Sequence, residues 1–219
     1  MDIGKALSES LEYAKDAVWG KWVKWILLIV STIIFPLIMG YELEVYRGKK
    51  PAPELENWGK LFIDGIKLLI IQLIYAIPVI IVAVIFIGAG VITSMQGSPQ
   101  AWMAAWGTLA VGILITLIVA VIIALVELMG IVRFARMGRM GEAFNFGAIR
   151  GHIRKIGWGS YILSIIAIFI VAFIIALIIS IIPVIGMFLT IIFAAPIALF
   201  VARYVTLLYD SVQAQTPPA

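Results

Sequence analysis

Five long apolar runs divide this chain: Val23–Met39, Leu68–Ile92, Gly107–Val126, Tyr161–Ile182 and Val184–Val201. Each compares with the ~20 residues that cross a bilayer as a helix. None shows the short alternating segments of a membrane barrel. The runs are continuous and rich in isoleucine, so the pattern predicts an all-α integral membrane protein.

The stretches between the runs have a different rhythm. From Glu142 to Ile156, the residues Phe146, Ile149, Ile153 and Ile156 fall at helical spacing on one face. Glu142, Asn145, Arg150, His152 and Arg154 fall mainly on the others. That predicts an amphipathic elbow over 141–156, lying on the membrane with its apolar face down and its basic groups toward lipid headgroups. Gly138 and Gly141 permit the bend into it. Trp58, Phe62 and Ile66 give residues 54–65 the same character. The opening "MDIGKALSESLEYAKDAVWGKWVKW" also reads as an amphipathic helix. It lacks the short apolar core and cleavage site of a secretory signal, and is expected to stay on the mature protein.

Composition strengthens the membrane reading. The chain of 219 residues is 63% hydrophobic and 13% charged, where a soluble domain carries about a quarter charged residues. With no cysteine and one histidine, disulfide, thiol and thiolate-metal chemistry are excluded, and little remains for zinc. No cofactor is expected.

The positions of the charges set an expected topology. Lys5, Lys15, Lys21 and Lys24 precede the first apolar run, and Arg47, Lys49, Lys50, Lys60 and Lys67 follow it. Arg133, Arg136, Arg139, Arg150, Arg154 and Lys155 lie between the third and fourth runs. The connections 93–106 and 182–186 carry no charge. Basic residues near span ends mark the cytoplasmic side. Four spans follow: Ile66–Ile92 outward, Trp106–Phe134 inward, Gly157–Pro183 outward and Val184–Tyr209 inward. Trp102 and Trp106 then fall at the outer interface, Trp58 and Trp158 at the inner one. The tight "IPVIG" connection makes a hairpin of the last two spans.

The first run has lysines on both sides, so it either crosses once or dips in and returns. An internal similarity favours the return. "YAKDAVWG" (13–20), "WGKLFIDG" (58–65) and "FNFGAIRG" (144–151) each run from an aromatic residue to a glycine, with Val18, Ile63 or Ile149 two residues before it. Each precedes an apolar run, and the last two such runs return as hairpins. The expected layout is one polytopic domain, 1–210. It comprises an amphipathic helix (1–21), a short, re-entrant or spanning segment (22–46), an elbow (54–65), a hairpin (66–134), an elbow (141–156) and a hairpin (157–209). A polar tail, 211–219, follows.

The stretches "IMGY" before a basic loop, "ENWGKLFIDGIK" and "GRMGEAFNFGAI" look like an archaeal family of uncharacterised polytopic membrane proteins, domain of unknown function 4013. More loosely, the elbow-and-hairpin pattern resembles the membrane region of some bacterial glycerophosphodiester phosphodiesterases. The likeness covers Met1 to Asp210 and is most specific at "GEAFNFGAI". Glu44 departs from it, standing where a basic residue is expected. The resemblance implies a fold and a compartment, and carries no activity or catalytic residues.

Charges within a span are costly and are the default functional candidates. Glu127 and Arg203 lie at comparable depth in two inward-running spans, so they could pair. Alternatively, Arg203 snorkels to the headgroups, and Glu127 serves as a protonatable or cation-binding group with Gln72 as a partner. Arg136, Arg139, Arg150, Arg154 and Lys155 are the candidate membrane-surface cations, each contributing roughly 1 kcal/mol beside an anionic leaflet. No phosphate loop is present, and one surface helix is not a nucleic-acid domain. The expected function is a non-enzymatic scaffold or accessory subunit of the cell membrane, with elbows and C-terminus cytoplasmic. Its expected partners are membrane lipids, a second copy of itself or another membrane protein. The alternative is a small oligomeric transporter or channel using Glu127. A lipid enzyme would need a carboxylate pair or a His/Asp cluster at the interface, and His152 alone reads as solvated.

Overall fold

A computed structural model of the chain describes residues 2–181 and 185–212. Its elements are α1 (Ile3–Val18), α2 (Trp22–Ile33), α3 (Phe35–Tyr46), α4 (Trp58–Ser94), α5 (Pro99–Met137), a 3-10 turn (Met140–Phe144), α6 (Phe146–Ile156), α7 (Trp158–Ser180) and α8 (Ile185–Asp210). No strand occurs among the described residues. α4, α5, α7 and the Phe188–Asp210 part of α8 are long and apolar enough to cross a membrane. The chain is an all-helical integral membrane protein. The expected 182–186 turn, with Pro183, falls mostly outside the described residues, as does most of the tail.

The elbow expected over 54–65 is not a separate helix. The chain is irregular up to Asn57, which has a positive φ of 55°, and α4 starts at Trp58 and runs for 37 residues. No residue after Trp58 forces a turn. At 1.5 Å per residue α4 is ~55 Å long, well beyond the ~30 Å hydrocarbon core.

The first apolar run breaks into two twelve-residue helices, α2 and α3. Pro36 causes the break: it cannot donate to the helical ladder, and its ring crowds the preceding turn. Each half is only ~18 Å long. The chain leaving α3 comes back beside the first turn of α2. There the buried Lys24 ammonium donates to the Ala52 carbonyl at 3.1 Å and to Glu54 at 3.0 Å. Tyr41 Oη donates to the Pro53 carbonyl at 2.6 Å. The segment therefore folds back on itself.

The chain divides into two compact units, Met1–Leu69 with Leu128–Ala219, and Ile70–Glu127. In the first, α8 is the hub: α1, α2, α3, α6 and α7 all pack on it. Half of its most apolar window is buried, against 6–17% for the other three long helices. α1 meets α8 through a face of small residues, Ala6, Ser10, Ala14 and Ala17, with Tyr13 among them. Pro196 interrupts α8 and leaves the Ile192 carbonyl without its helical donor. The Trp25 indole takes that place, donating to Ile192 O at 3.0 Å, with its ring edge-on to Phe193.

α3 meets the first turns of α4 backbone to backbone. A Cβ at Gly65 would lie 1.7 Å from the Pro36 carbonyl oxygen, and one at Gly40 would lie 1.9 Å from that of Leu61. In the second unit, residues 70–94 and 99–127 approach at Gly90, against Leu109, and at Gly112, against Phe86. Gly88 and Gly107 have open space.

The three similar octapeptides occupy three different environments. Val18 is buried and Ile149 fully so, while Ile63 is 56% exposed. Gly20 turns the chain after α1 with a positive φ of 74°, Gly65 is the close contact above, and Gly151 has open space. The shared pattern falls at the end of α1, at the start of α4 and across the start of α6.

Of the elbow expected over 141–156, α6 covers Phe146–Ile156 and the 3-10 turn precedes it; α6 is capped by the Asn145 side chain accepting from Ala148 N at 3.2 Å. Its apolar face is divided. Ile149 and Ile153 are buried in the protein, while Phe146 is exposed. His152 is not merely solvated. Its ring stacks on Tyr209 with centroids 3.9 Å apart, and Nε2 lies 2.9 Å from the Tyr209 carbonyl. Burial pulls its pKa below the ordinary histidine value, partly offset by that backbone bond.

Candidate functional site

The polar side chains form separate clusters rather than one site. Arg203 projects from α8 and is buried. It does not pair with Glu127: its Nη2 donates to Glu9 on α1 at 2.7 Å, and its guanidinium lies 5.1 Å from the Tyr13 ring centre. Lys50 reaches the same carboxylate at 3.1 Å. The Arg203 hydrogen bond, opposed by burial and aided by Lys50, holds the Glu9 carboxyl below the usual range.

Glu127 lies in the second unit, within electrostatic reach of the buried Tyr75 on α4. Gln72 is three residues before Tyr75, on the same side of the helix. Neither Glu127 nor Gln72 has a hydrogen-bond or ion-pair partner among the described residues, and both are half-buried. A carboxylate and an amide with spare bonding capacity beside a tyrosine could take up a proton or a small cation.

At the start of α4 a denser ionic cluster forms that the sequence revealed only in part. Glu44 is 5% exposed and pairs with Arg47, with Lys49 at 2.6 Å and with Lys60 at 2.7 Å. Asp64 pairs with Arg47 at 2.8 Å and Lys67 at 3.2 Å. Burial alone would raise the Glu44 carboxyl, but Lys49, Lys60 and Arg47 together hold it at about 2. Three converging cations explain why an acid stands at this position. The Glu44–Arg47 spacing was visible in the sequence; Lys60 and Asp64, brought in by the Gly40–Gly65 crossing, had no local signal. Glu42, two residues earlier, is half-buried and has no ion pair among the described residues.

The expected surface cations divide in two. Arg136 is tied to Asp210, with both carboxylate oxygens at 2.7 Å. Arg139 and Arg133 share Glu142. Arg150, Arg154 and Lys155 are exposed and unpaired among the described residues. They stand near the exposed Phe146 and Trp158. A C-terminal cap at Gly157, φ 91°, ends α6 directly after them.

One feature had no sequence signal. An apolar cleft of about 270 Å³ opens between α1, α2, α7 and α8, bordered by Trp19, Trp25 and Pro196, with Lys15 in its wall. No cluster of three or more metal-ligating side chains occurs among the described residues.

The sequence pattern of a family described as protein of unknown function (DUF4013) matches residues 25–184. No curated protein matches the chain, and no solved structure does.

Proposed function

The chain belongs to that family of unknown function, and from its charge arrangement we propose that it is a non-enzymatic scaffold or accessory subunit that binds anionic lipid at the inner face of the cell membrane. The observation that carries this reading is α6. Its inner face is tied down by Ile149, Ile153 and His152, while Arg150, Arg154 and Lys155 point away unpaired beside Phe146 and Trp158. Cations beside aromatic rings suit the headgroup layer. On this reading the basic connections and the C-terminus are cytoplasmic, and the fold-back of α2 and α3 is a re-entrant segment that enters and leaves on that side. The exposed apolar faces of the long helices are open to lipid, a second copy or another membrane protein.

The test is native mass spectrometry from nanodiscs of mixed phosphatidylglycerol and phosphatidylcholine. Three surface cations at roughly 1 kcal/mol each give a preference for the anionic lipid of up to ~100-fold. Replacing Arg150, Arg154 and Lys155 together by glutamine is expected to remove most of it. An unchanged preference would defeat this reading.

A second reading, a small oligomeric transporter or channel, is favoured by Glu127 and Gln72, which lie half-buried and unpaired in long apolar helices. If it holds, Glu127→Gln folds normally and abolishes ion- or proton-coupled flux in proteoliposomes. Flux equal to wild type would remove it.

A further inference from the structure

The apolar cleft is built by sequence features that also suggest what fills it. Pro196 breaks the α8 ladder, the Trp25 indole anchors α2 at the break, and the small-residue face of α1 lies along α8 nearby. Between them is a volume of about 270 Å³ whose lining, apart from Lys15, is apolar, including Leu11, Trp19 and Ile197. In a membrane protein the apolar material at hand is lipid hydrocarbon. Lys15 is exposed and has no ion-pair partner among the described residues. It stands in the last turn of α1, one turn from Trp19, a ring suited to the headgroup boundary. An apolar slot with the alkyl stem of an exposed, unpaired lysine in its wall complements one ligand chemistry, a hydrocarbon chain attached to a negative head.

We propose that this cleft holds one acyl chain of a single anionic phospholipid, with Lys15 on its phosphate. The site deepens the lipid-binding reading and rests on it, yet it is separate from α6. It would hold lipid individually, whereas the exposed cations of α6 attract the leaflet collectively.

The experiment uses the full chain in phosphatidylglycerol/phosphatidylcholine nanodiscs, with the lipid still bound after detergent release read by native mass spectrometry. Wild type is expected to keep one phosphatidylglycerol per chain. Ile197→Trp fills the slot, and Leu11→Asp places a like charge beside the phosphate. Leu11 is exposed, so that variant leaves the core intact even where Ile197→Trp does not fold. Each is expected to lower occupancy by about tenfold or more. Lys15→Gln is expected to keep a bound lipid while losing the choice of phosphatidylglycerol over phosphatidylcholine. The Arg150, Arg154, Lys155 glutamine variant is expected to keep the tightly held molecule. Cleft variants that retain the wild-type lipid overturn the cleft, even if the α6 variant loses its preference and the broader reading stands. Loss of the tight lipid only in the α6 variant overturns the cleft as well.

Discussion

Gly65→Ala is expected to unfasten α3 from α4. The added methyl would sit 1.7 Å from the Pro36 carbonyl oxygen, a distance no side-chain rotation can relieve because the obstacle is backbone. The helices must separate, and the ionic cluster around Glu44 and Asp64 spreads with them. Overpacking of this kind costs ~1–3 kcal/mol, occasionally more, and a rigid backbone clash belongs at the upper end. A fluorescence size-exclusion thermal scan in detergent should show a clearly lowered midpoint for Gly65→Ala, and likewise for Gly40→Ala. Gly59→Ala is the control: it lies in the first turn of the same helix with nothing within 4 Å of the new methyl, and should stay within ~0.5 kcal/mol of wild type. Equal behaviour of Gly59→Ala and Gly65→Ala would show that the close crossing does not form.

The Glu9–Arg203 pair should respond asymmetrically. Glu9→Gln leaves the Arg203 side chain, only 7% exposed, without its carboxylate. Breaking a buried pair from one side costs ~3–5 kcal/mol, and the lower figure applies because Glu9 itself is partly open to solvent. Arg203→Met removes the buried charge and fills similar space, so it should cost ~1 kcal/mol or less. The same thermal scan reads both, and the double variant should recover most of what Glu9→Gln loses. Acidity provides a second check. The Glu9 carboxyl is lowered in the folded protein, chiefly by the Arg203 hydrogen bond. Its contribution is complete above the unfolded carboxylate value and fades as the pH falls through the lowered one. Arg203→Met should remove that part of the acid sensitivity. If Arg203→Met is as damaging as Glu9→Gln, the pair supplies packing rather than charge balance.

These two features show which parts of the molecule could be read in the chain. Continuous isoleucine-rich runs reveal the four long helices because length and apolarity are local properties. Arg203 and Glu127 stand out as charges in apolar surroundings for the same reason. What they touch is not local: Glu9 is 194 residues from Arg203, and the spans offered only Glu127 as a partner at similar depth. The elbow at 54–65 had the right periodicity, but periodicity cannot say where a helix stops, and no residue after Trp58 stops it. On α6 the apolar stripe is legible in the chain, and its environment is not. Ile149 and Ile153 cover protein rather than lipid, because an apolar stripe does not specify which apolar partner it meets. The slot beside Pro196 had no signal, since it depends on where Trp25 lands.

The bond between Trp25 and Ile192 also spans 167 residues, and this fixes an order of events during synthesis. Synthesis makes α1 and α2 before α8, yet the acceptor for Trp25 and the guanidinium for Glu9 both belong to α8. The unit Ile70–Glu127 is complete in sequence long before that. The beginning of the protein must therefore wait, with the Trp25 indole and its small-residue face unmatched, until α8 has been made. A ribosome that stops before α8 releases a chain in which the α2–α3 fold-back can still close on residues 52–54, while Trp25 lacks its acceptor and Glu9 its guanidinium.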